Sequence, residues 1–333
     1  MNSHYYNINI KITIGGKLVI TQVKSIEIEK SIDKFSDTAK IELPRGFRNL
    51  KVNGTTDTIA YKSIFELINK GDTVVVEAGY NGELVKEFEG YISSVGADIP
   101  LILECEDEMY RLKKLPKVSK TFSSCKLKDI VNFLLPNYQS EVIDMDLGKF
   151  MIDNATPFDV FERLKKDCRL WFYFKGEKLI VSLLIDLKPH QNHDYVFGIN
   201  IRKSTALKFE TNESRKVLIK VTSPKKGKEN VFYEYGEKGG DEISINAPLN
   251  MAQKAIEQLA KNEHKNRTRS GYSGTVDGWA IPLVQHGDTI DLKDPNYPDQ
   301  HRDGRYLVES VKIVLNETDG FKRQSKLSYK LSK

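Results

Sequence analysis

Cysteine is scarce in this sequence, and the cysteines it has form no pattern. The 333 residues include an odd number of cysteines, namely Cys105, Cys125 and Cys168. They lie far apart in the sequence, and no C-x-x-C motif is present. A disulfide framework or a zinc site of paired cysteines is therefore not indicated. Reduced thiols in a cytosolic setting are the expectation.

Long hydrophobic runs are also missing. The densest apolar stretch, Leu179 to Leu187, is short and interrupted by Ser182 and Asp186, whereas a membrane-spanning helix needs about 20 apolar residues. The stretch from Met1 to Tyr6 has neither a basic nor an apolar segment, so we expect no export signal and no membrane anchor.

The charge is nearly balanced. Lysine and arginine total 51 and aspartate and glutamate 46, a net charge of +5. The basic stretch from Lys225 to Lys228 is predicted to be a solvated turn. Another, from His264 to Arg269, ends a predicted helix, where cations suit the helix dipole. A dedicated nucleic-acid-binding protein would have a clustered basic face, so we expect no specific nucleic-acid binding.

Catalytic and metal-binding motifs are missing as well. The sequence has no G-x-S-x-G, H-E-x-x-H, P-loop or G-x-G-x-x-G motif. His190 and His193 have the spacing of a ligand pair, and Asp299, His301 and Asp303 alternate, but neither group has an evident further ligand. Both are predicted to lie in polar loops, and we predict no metal site and no cofactor.

The cysteines and carboxylates offer no clear catalytic group. Cys125 lies at the start of a predicted helix, which can lower a thiol pKa, and Cys168 lies at the end of another. Without a nearby histidine in the motif, inert thiols are the expectation. Glu104 and Asp107 could act as the acid and base of a glycosidase, but among 46 acidic residues no pair stands out. We therefore predict no catalytic residue and no enzyme.

Alternation of apolar and polar residues predicts strands through residues 1–115. It runs from Tyr6 to Ile14 and is followed by a Gly15-Gly16 hairpin turn, and Asn81-Gly82 is typical of a type I′ turn. Residues 45–61 are polar and are predicted to form a long loop. The pattern indicates a small β-barrel or sandwich.

The pattern changes over residues 116–195. Apolar residues at helical spacing from Leu127 to Leu135 predict a helix that stops at Pro136. Thr156-Pro157 is typical of a helix start. A predicted hairpin from Leu170 to Leu184 completes an α+β insert.

The segment 196–333 returns to strands. A helix is predicted over about 249–265, followed by strands from Thr289 to Leu292, from Tyr306 to Leu315 and from Lys326 to Leu331. A second β-barrel with one long helix is the expectation.

An internal repeat links the first and last segments. Gly71-Asp72-Thr73-Val74 opens a strand and is followed by Tyr91, and Gly287-Asp288-Thr289-Ile290 opens another and is followed by Tyr306. The matched spacing favours a duplicated β-module, although two generic hairpins could coincide. The predicted fold class is mixed β and α+β, with two related β-barrels flanking the α+β insert.

Three segments, taken in order, resemble a known family. They are Thr121 to Ile130, Ala155 to Leu164 with the hairpin that follows, and the succession of a helix from Ala252 to Ala260, Gly287-Asp288-Thr289 and Tyr306-Leu307-Val308. This order resembles the phage late-control protein D family. These are baseplate hub proteins of contractile tails, similar also to the hub module of type VI secretion spike proteins.

The resemblance implies a homotrimer. Each chain would carry two barrels related to the tail-tube protein, and three chains would form a pseudo-six-fold ring. The implied partners are the tail tube protein, the central spike protein and other baseplate proteins. The chain would be assembled in the bacterial host cytoplasm and located in the virion tail. The resemblance does not decide whether the protein belongs to an infectious phage, a prophage remnant or a secretion device.

The sequence ends soon after the second predicted barrel, so the spike is expected to be a separate protein. Two readings of other classes remain open, a tail enzyme that degrades peptidoglycan or carbohydrate and a nucleic-acid-binding protein.

Overall fold

The structure is a computed structural model that describes residues 7–44, 50–57, 66–183, 189–203, 207–211, 215–225, 229–296 and 303–332. Within these ranges the chain is mostly β-sheet with few helices, as predicted. The strands in chain order are β1 (Ile8–Ile14), β2 (Leu18–Ile20), β3 (Ser25–Ser31), β4 (Thr38–Leu43), β5 (Leu50–Val52), β6 (Thr55–Asp57), β7 (Thr73–Tyr80), β8 (Glu83–Val95), β9 (Leu101–Glu106), β10 (Val118–Lys126), β11 (Ser140–Val142), β12 (Asp146–Ala155), β13 (Trp171–Lys175), β14 (Lys178–Ser182), β15 (Asn192–Val196), β16 (Ile201–Lys203), β17 (Lys208–Glu210), β18 (Val217–Ser223), β19 (Val231–Gly236), β20 (Asp241–Asn246), β21 (Gly271–Trp279), β22 (Thr289–Lys293), β23 (Gly304–Asn316) and β24 (Gly320–Ser332). The helices are α1 (Met109–Leu112), α2 (Leu127–Leu134), α3 (Pro157–Cys168) and α4 (Gln253–Thr268).

The first strands follow from their alternating sequence. Ile12 and Ile14 of β1 are buried, while Thr13 between them is only partly buried. Gly15 connects β1 to β2 with a φ of +58°, and Asn81 and Gly82 connect β7 to β8 with φ of +54° and +89°. A type I′ turn requires positive φ at both central residues, so the predicted turn is confirmed.

One large sheet contains strands from both ends of the chain. Its main order is β16-β21-β24-β23-β3-β4-β9-β8-β7-β1-β2-β5-β6, and β15, β17 and β22 attach to it. The early strand β3 pairs antiparallel with the late strand β23. The pairings among the described residues close no barrel.

The first hydrophobic core lies on the inner face of this sheet. It combines side chains such as Ile41 and Val76 from the first segment with Val276 and Ile313 from the last. The two ends of the chain therefore share one core. Unfolding of either end would expose apolar surface of this shared core to water.

The second core holds the helices. Leu127, Ile130 and Val131 of α2 are buried at helical spacing, as predicted. At the start of α3, Thr156 Oγ1 accepts a hydrogen bond from the Asp159 N–H at 3.2 Å, and the Asp159 carboxylate accepts one from the Thr156 N–H at 2.9 Å. This reciprocal capping box satisfies two amides that a helix start would otherwise leave unpaired.

The second core also includes residues from the last segment. A three-stranded sheet in the order β19-β18-β20 packs against α4. Val217 and Ile219 of β18 and Leu259 of α4 belong to the same core as Leu127. This core therefore takes residues from both sides of position 195, and the division of the chain at 115 and 195 stays a prediction.

Some sequence predictions need correction. Residues 45–61 are not a loop throughout, because β5 and β6 form an antiparallel hairpin there. The helix predicted over 249–265 exists, but it begins at Gln253 and ends at Thr268.

Within the described ranges, no helix has both the length and the apolar character needed to cross a membrane.

Candidate functional site

The two histidines of the 190–193 stretch have separate structural partners. His193 lies in β15, which pairs parallel with β22, so the predicted polar loop is wrong at this position. His193 Nε2 lies 3.0 Å from Asp288 Oδ2, and His190 Nε2 lies 3.3 Å from the Tyr173 hydroxyl. Burial is the main reason why the pKa of His190 is lowered. In the part of the chain that the structure describes, no group of three or more His, Cys, Asp and Glu side chains could hold a metal ion.

The other alternating group lies mostly outside the described residues. Asp299 and His301 fall in the range 297–302, and Asp303 is described. Asp303 Oδ1 accepts a hydrogen bond from the Asp294 N–H at 2.8 Å. Asp303 thus has a structural role between β22 and β23. Likewise, the basic stretch of residues 225–228 is described only at Lys225.

The cysteines are buried and free. Burial raises the pKa of Cys125 to about 11 and that of Cys105 to about 12, and it also raises the pKa of Cys168. A reactive thiol needs a lowered pKa. The helix start after Cys125 therefore does not activate it.

Glu104 and Asp107 lie in different environments. Glu104 is on the exposed face of β9, and Asp107 is buried just beyond the end of that strand. The Asp107 carboxylate accepts hydrogen bonds from the Ser36 hydroxyl at 2.8 Å and the Met109 N–H at 3.1 Å. Burial, and then the neighbouring Asp37, raise the pKa of Asp107 to about 7.

The internal repeat begins with a turn before β7. The Gly71 N–H donates to the Ile92 carbonyl at 2.8 Å, and the Ile92 N–H donates to the Asp72 carbonyl at 2.9 Å. Asp72 Oδ2 accepts a hydrogen bond from the N–H of Asn69, three residues earlier, at 2.8 Å. The turn thus joins the start of β7 to the middle of β8.

The turn before β22 has the same bonds. The Gly287 N–H donates to the Val308 carbonyl at 2.9 Å, and the Val308 N–H donates to the Asp288 carbonyl at 2.9 Å. Asp288 Oδ2 accepts a hydrogen bond from the N–H of Gln285, three residues earlier, at 2.8 Å. The counterpart of Ile92 is therefore Val308, and the sequence alignment of Tyr91 with Tyr306 is wrong by one residue.

Each turn belongs to a four-stranded unit of the same order. The first unit is β4-β9-β8-β7 and the second unit is β21-β24-β23-β22, and all neighbours within both are antiparallel. Thr73 opposes Tyr91, and Thr289 opposes Leu307, so the paired residues are 18 positions apart in each unit. The repeat in sequence therefore corresponds to a repeat in topology and register.

The two units are joined within the chain by strand pairing. β3, which lies next to β4, pairs along its full length, Ser25–Ser31, with the last seven residues of β23. The Tyr80 hydroxyl of β7 donates to the Phe321 carbonyl of β24 at 3.1 Å. We call this contact between the first and second units the joint.

A buried ion pair crosses the joint. Arg323 Nη2 of β24 lies 2.5 Å from Glu87 Oε1 of β8, and the two side chains are 0% and 1% exposed. Arg323 also donates to the carbonyls of Ala280 at 3.1 Å and Val284 at 3.0 Å. Sequence analysis did not single out this pair. A signal for Arg323 was its position in β24. Phe321, Arg323 and Leu327 are separated by even numbers of residues, so they lie on the same, buried face of the strand.

Comparison with known proteins gives no match to a family model or to a curated protein. Solved structures do match. A tail protein from Neisseria meningitidis MC58 has a TM-score of 0.67 at 15% identity, covering 97% of this chain and 96% of that one. The 43 kDa tail protein of prophage MuSo2 from Shewanella oneidensis has a TM-score of 0.63 at 14% identity, with 96% and 97% covered. The chain has the fold of phage tail proteins.

The tail-protein fold extends to secretion machinery. The c3393 protein of E. coli, a component of the type VI secretion system with structural similarity to T4 bacteriophage tail proteins gp27 and gp5, has a TM-score of 0.57 at 10% identity. The match covers 98% of this chain and 79% of that one. The resemblance read from the sequence is thus confirmed at the level of the fold.

Proposed function

We propose that this protein is a baseplate hub of a phage tail or a phage-like injection machine. Three copies form a pseudo-six-fold ring that joins a hexameric tail tube to a trimeric central spike. One observation carries the proposal: a single chain holds two four-stranded units with the same strand order, the same register and the same turn hydrogen bonds.

The duplication resolves a mismatch of symmetry. A trimeric ring can match a three-fold spike directly, but it offers only three equivalent positions to a six-fold tube. With two equivalent units per chain, three copies present six similar units. Such a protein can contact partners of both symmetries while its own ring contains only three chains.

The structural neighbours support the setting of this role. Two are phage tail proteins, and one is a component of the type VI secretion system. We infer that the chain is assembled in a bacterial cytoplasm and works in the tail, against the tube protein, the spike and other baseplate proteins. The units of the large sheet are then two tube-like barrels completed in the assembled ring, and the α+β segment of residues 116–195 contacts the spike or surrounding proteins.

The proposed role is mechanical and does not require a catalytic group. The ring would provide a fixed first layer on which tube subunits polymerise. Its rigidity follows from the shared core and the joint, since both units contribute to the same buried apolar cluster.

Electron microscopy of the purified chain tests the proposal. We expect rings with three-fold symmetry and six similar lobes in class averages. Particles with two-fold or four-fold symmetry would contradict it, because neither gives six units.

A further inference from the structure

Strand β9 of the first unit is shorter than its equivalent, β24, in the second unit. Cys105 of β9 opposes Ile92 of β8. In the second unit, Leu327 of β24 opposes Val308, the counterpart of Ile92. β9 ends one residue after Cys105, whereas β24 ends five residues after Leu327. The strand in the first unit is thus four residues shorter.

The short β9 leaves one side of β8 open. β9 pairs with β8 only from Tyr91 onward, and the chain then turns away into α1. In the second unit, Arg305, the counterpart of Glu89, opposes Ser332 at the end of β24. Among the residues that the structure describes, no strand pairs with this side of β8 over residues 83–90. We call this side of residues 83–90 the open edge.

The open edge presents a backbone donor at Glu89. The Ile92 N–H donates to the Asp72 carbonyl, on the β7 side of the strand. The pairing with β7 is regular from Phe88 to Tyr91, and amide directions alternate along a strand. The Glu89 N–H therefore points away from β7, to the open edge, where the carbonyl of an added strand could accept it.

A cleft of about 830 Å³ lies along the open edge. On one side it is lined by β8 from Lys86 to Tyr91, and on the other by the turn between β13 and β14. Tyr138 and Phe174, whose ring centroids are 6.0 Å apart, add aromatic surface to the lining. Binding sites commonly have volumes of about 300–1,000 Å³, so the cleft has room for a short extended segment beside β8.

Two buried polar side chains line the cleft with an atom that has no hydrogen-bond partner among the described residues. They are Glu87, through Oε2, and His286, through Nδ1, and the residues are 1% and 6% exposed. His286 Nε2 lies 3.3 Å from Asp37 Oδ2, and a carboxylate only accepts hydrogen bonds, so Nε2 carries the proton. Nδ1 of the neutral ring is then an acceptor, as is Glu87 Oε2. Both atoms require a ligand that brings hydrogen-bond donors.

The charge of the lining favours a basic ligand. Seven aspartates and glutamates line the cleft, against four lysines and arginines. The chain itself shows what kind of strand serves at the equivalent place, because residues 325–332 of β24 read Ser-Lys-Leu-Ser-Tyr-Lys-Leu-Ser, with two lysines and no acidic residue. A basic strand would reduce the excess of negative charge in the cleft and supply donors to its acceptors.

We propose that the cleft binds a basic, extended segment of a partner protein, which adds to the open edge of β8 as an antiparallel strand. The segment takes the place of the four residues that β24 has beyond the length of β9. Its backbone accepts a hydrogen bond from the Glu89 N–H, and its donors satisfy Glu87 and His286. This is strand addition, in which main-chain hydrogen bonds give affinity and side-chain contacts give specificity. The site lies within one chain, so it does not depend on the hub function.

A synthetic peptide of residues 325–332 tests the site directly. We expect saturable binding of the fluorescently labelled peptide to the full chain, measured by fluorescence anisotropy at low salt. The matched control is the same peptide with Lys326→Glu and Lys330→Glu, which should bind at least tenfold more weakly, because its charge has the sign of the lining. Absence of saturable binding by the first peptide, or equal binding of the two, overturns the proposal.

Two substitutions at one position test the strand pairing. Glu89→Pro and Glu89→Gln both remove the carboxylate, but only proline removes the backbone N–H, and proline is tolerated on strand edges. We expect Glu89→Pro to bind the peptide about tenfold more weakly than Glu89→Gln, because it loses one hydrogen bond. Equal affinities of two variants with the same thermal unfolding temperature would overturn the pairing.

Two further measurements apply whether or not Glu89→Pro folds. In the wild type, peptide binding should slow hydrogen exchange of the Glu89 amide, and an unchanged rate would overturn the pairing. Light scattering of the wild type with and without peptide distinguishes the occupant of the edge. We expect the peptide to leave the number of chains per particle unchanged. A peptide that dissociates the particle would show that a second copy occupies the edge, which overturns the assignment to a partner protein.

Discussion

Removing the carboxylate of Glu87 is the most informative single perturbation of the fold. The Glu87–Arg323 pair is fully buried and joins the first unit to the second. Glu87→Gln keeps the shape of the side chain and an oxygen acceptor but removes the negative charge. Arg323 would then keep its bonds to the Ala280 and Val284 carbonyls but lose its counter-charge.

The expected cost is large. Removing one partner of a buried ion pair costs about 3–5 kcal/mol, because the remaining charge has lost its solvation and its partner. At about 1.4 kcal/mol per tenfold change, this lowers the ratio of folded to unfolded protein more than a hundredfold. Equilibrium unfolding in urea, followed by circular dichroism, measures the loss.

The same strand supplies a matched control. Glu89 of β8 pairs with Lys86 at 2.5 Å, but both side chains are more than half exposed. Exposed pairs contribute about 0–1 kcal/mol, so Glu89→Gln should leave the unfolding midpoint almost unchanged. If Glu87→Gln destabilises the protein no more than Glu89→Gln does, the buried pair does not hold the units together and the reasoning is refuted.

Three further predictions concern single side chains. The pKa of Asp107 in the folded protein, about 7, lies above its unfolded value, so the stability linked to its proton is lost as the pH rises from about 4 through 7. Asp107→Asn should therefore make the thermal unfolding temperature less dependent on pH over this range. Equal pH profiles for the variant and the wild type would contradict this. Thr156→Ala should cost about 1 kcal/mol in urea unfolding through loss of the helix cap, whereas Thr156→Ser should cost little; equal losses would show that the hydroxyl does not cap α3. Asp288→Ala should lower the free energy of unfolding by about 1–3 kcal/mol, because the buried Asp288 carboxylate also contacts His193 and accepts from the Gln191 N–H. Asp72→Ala should cost less, because Asp72 is only half-buried; the reverse order in urea unfolding would contradict the burial argument.

Local structure could be predicted well from the sequence. Helix α3 begins where Thr156-Pro157 predicted it, because a cap and a first-turn proline act within one turn of backbone. The alternating strand predicted from Tyr6 to Ile14 is confirmed from Ile8 to Ile14, and the Asn81-Gly82 turn is confirmed too. Each depends on neighbours in sequence and on little else.

Long-range pairing could not be predicted in the same way. Nothing in the pattern of β3 indicates that it pairs with β23, almost 300 residues later, because any exposed edge can accept a strand. Residues 146–155 contain Gly148 and two aspartates and give weak strand signals, yet they pair with β10 to form a ribbon. Tertiary packing decided these elements.

In the candidate site, too, local contacts could be predicted from the sequence and long-range contacts could not. The repeated Gly-Asp-Thr turn was visible in the sequence, because its bonds link residues close along the chain. The sequence alignment was wrong by one residue because Tyr91 was matched to Tyr306 by residue type. The strand register instead aligns Tyr91 with Leu307. Glu87 was hidden because a register shift after Val76 lets both Glu87 and its neighbour Phe88 face inward.

The mass of the purified chain in solution tests the central claim most directly. Static light scattering across a range of concentrations should give about 114 kDa, three chains of 38.0 kDa each, because three copies of two units complete six. A stable dimer or a closed tetramer would contradict the hub assignment, since neither provides the six units that the duplicated fold implies.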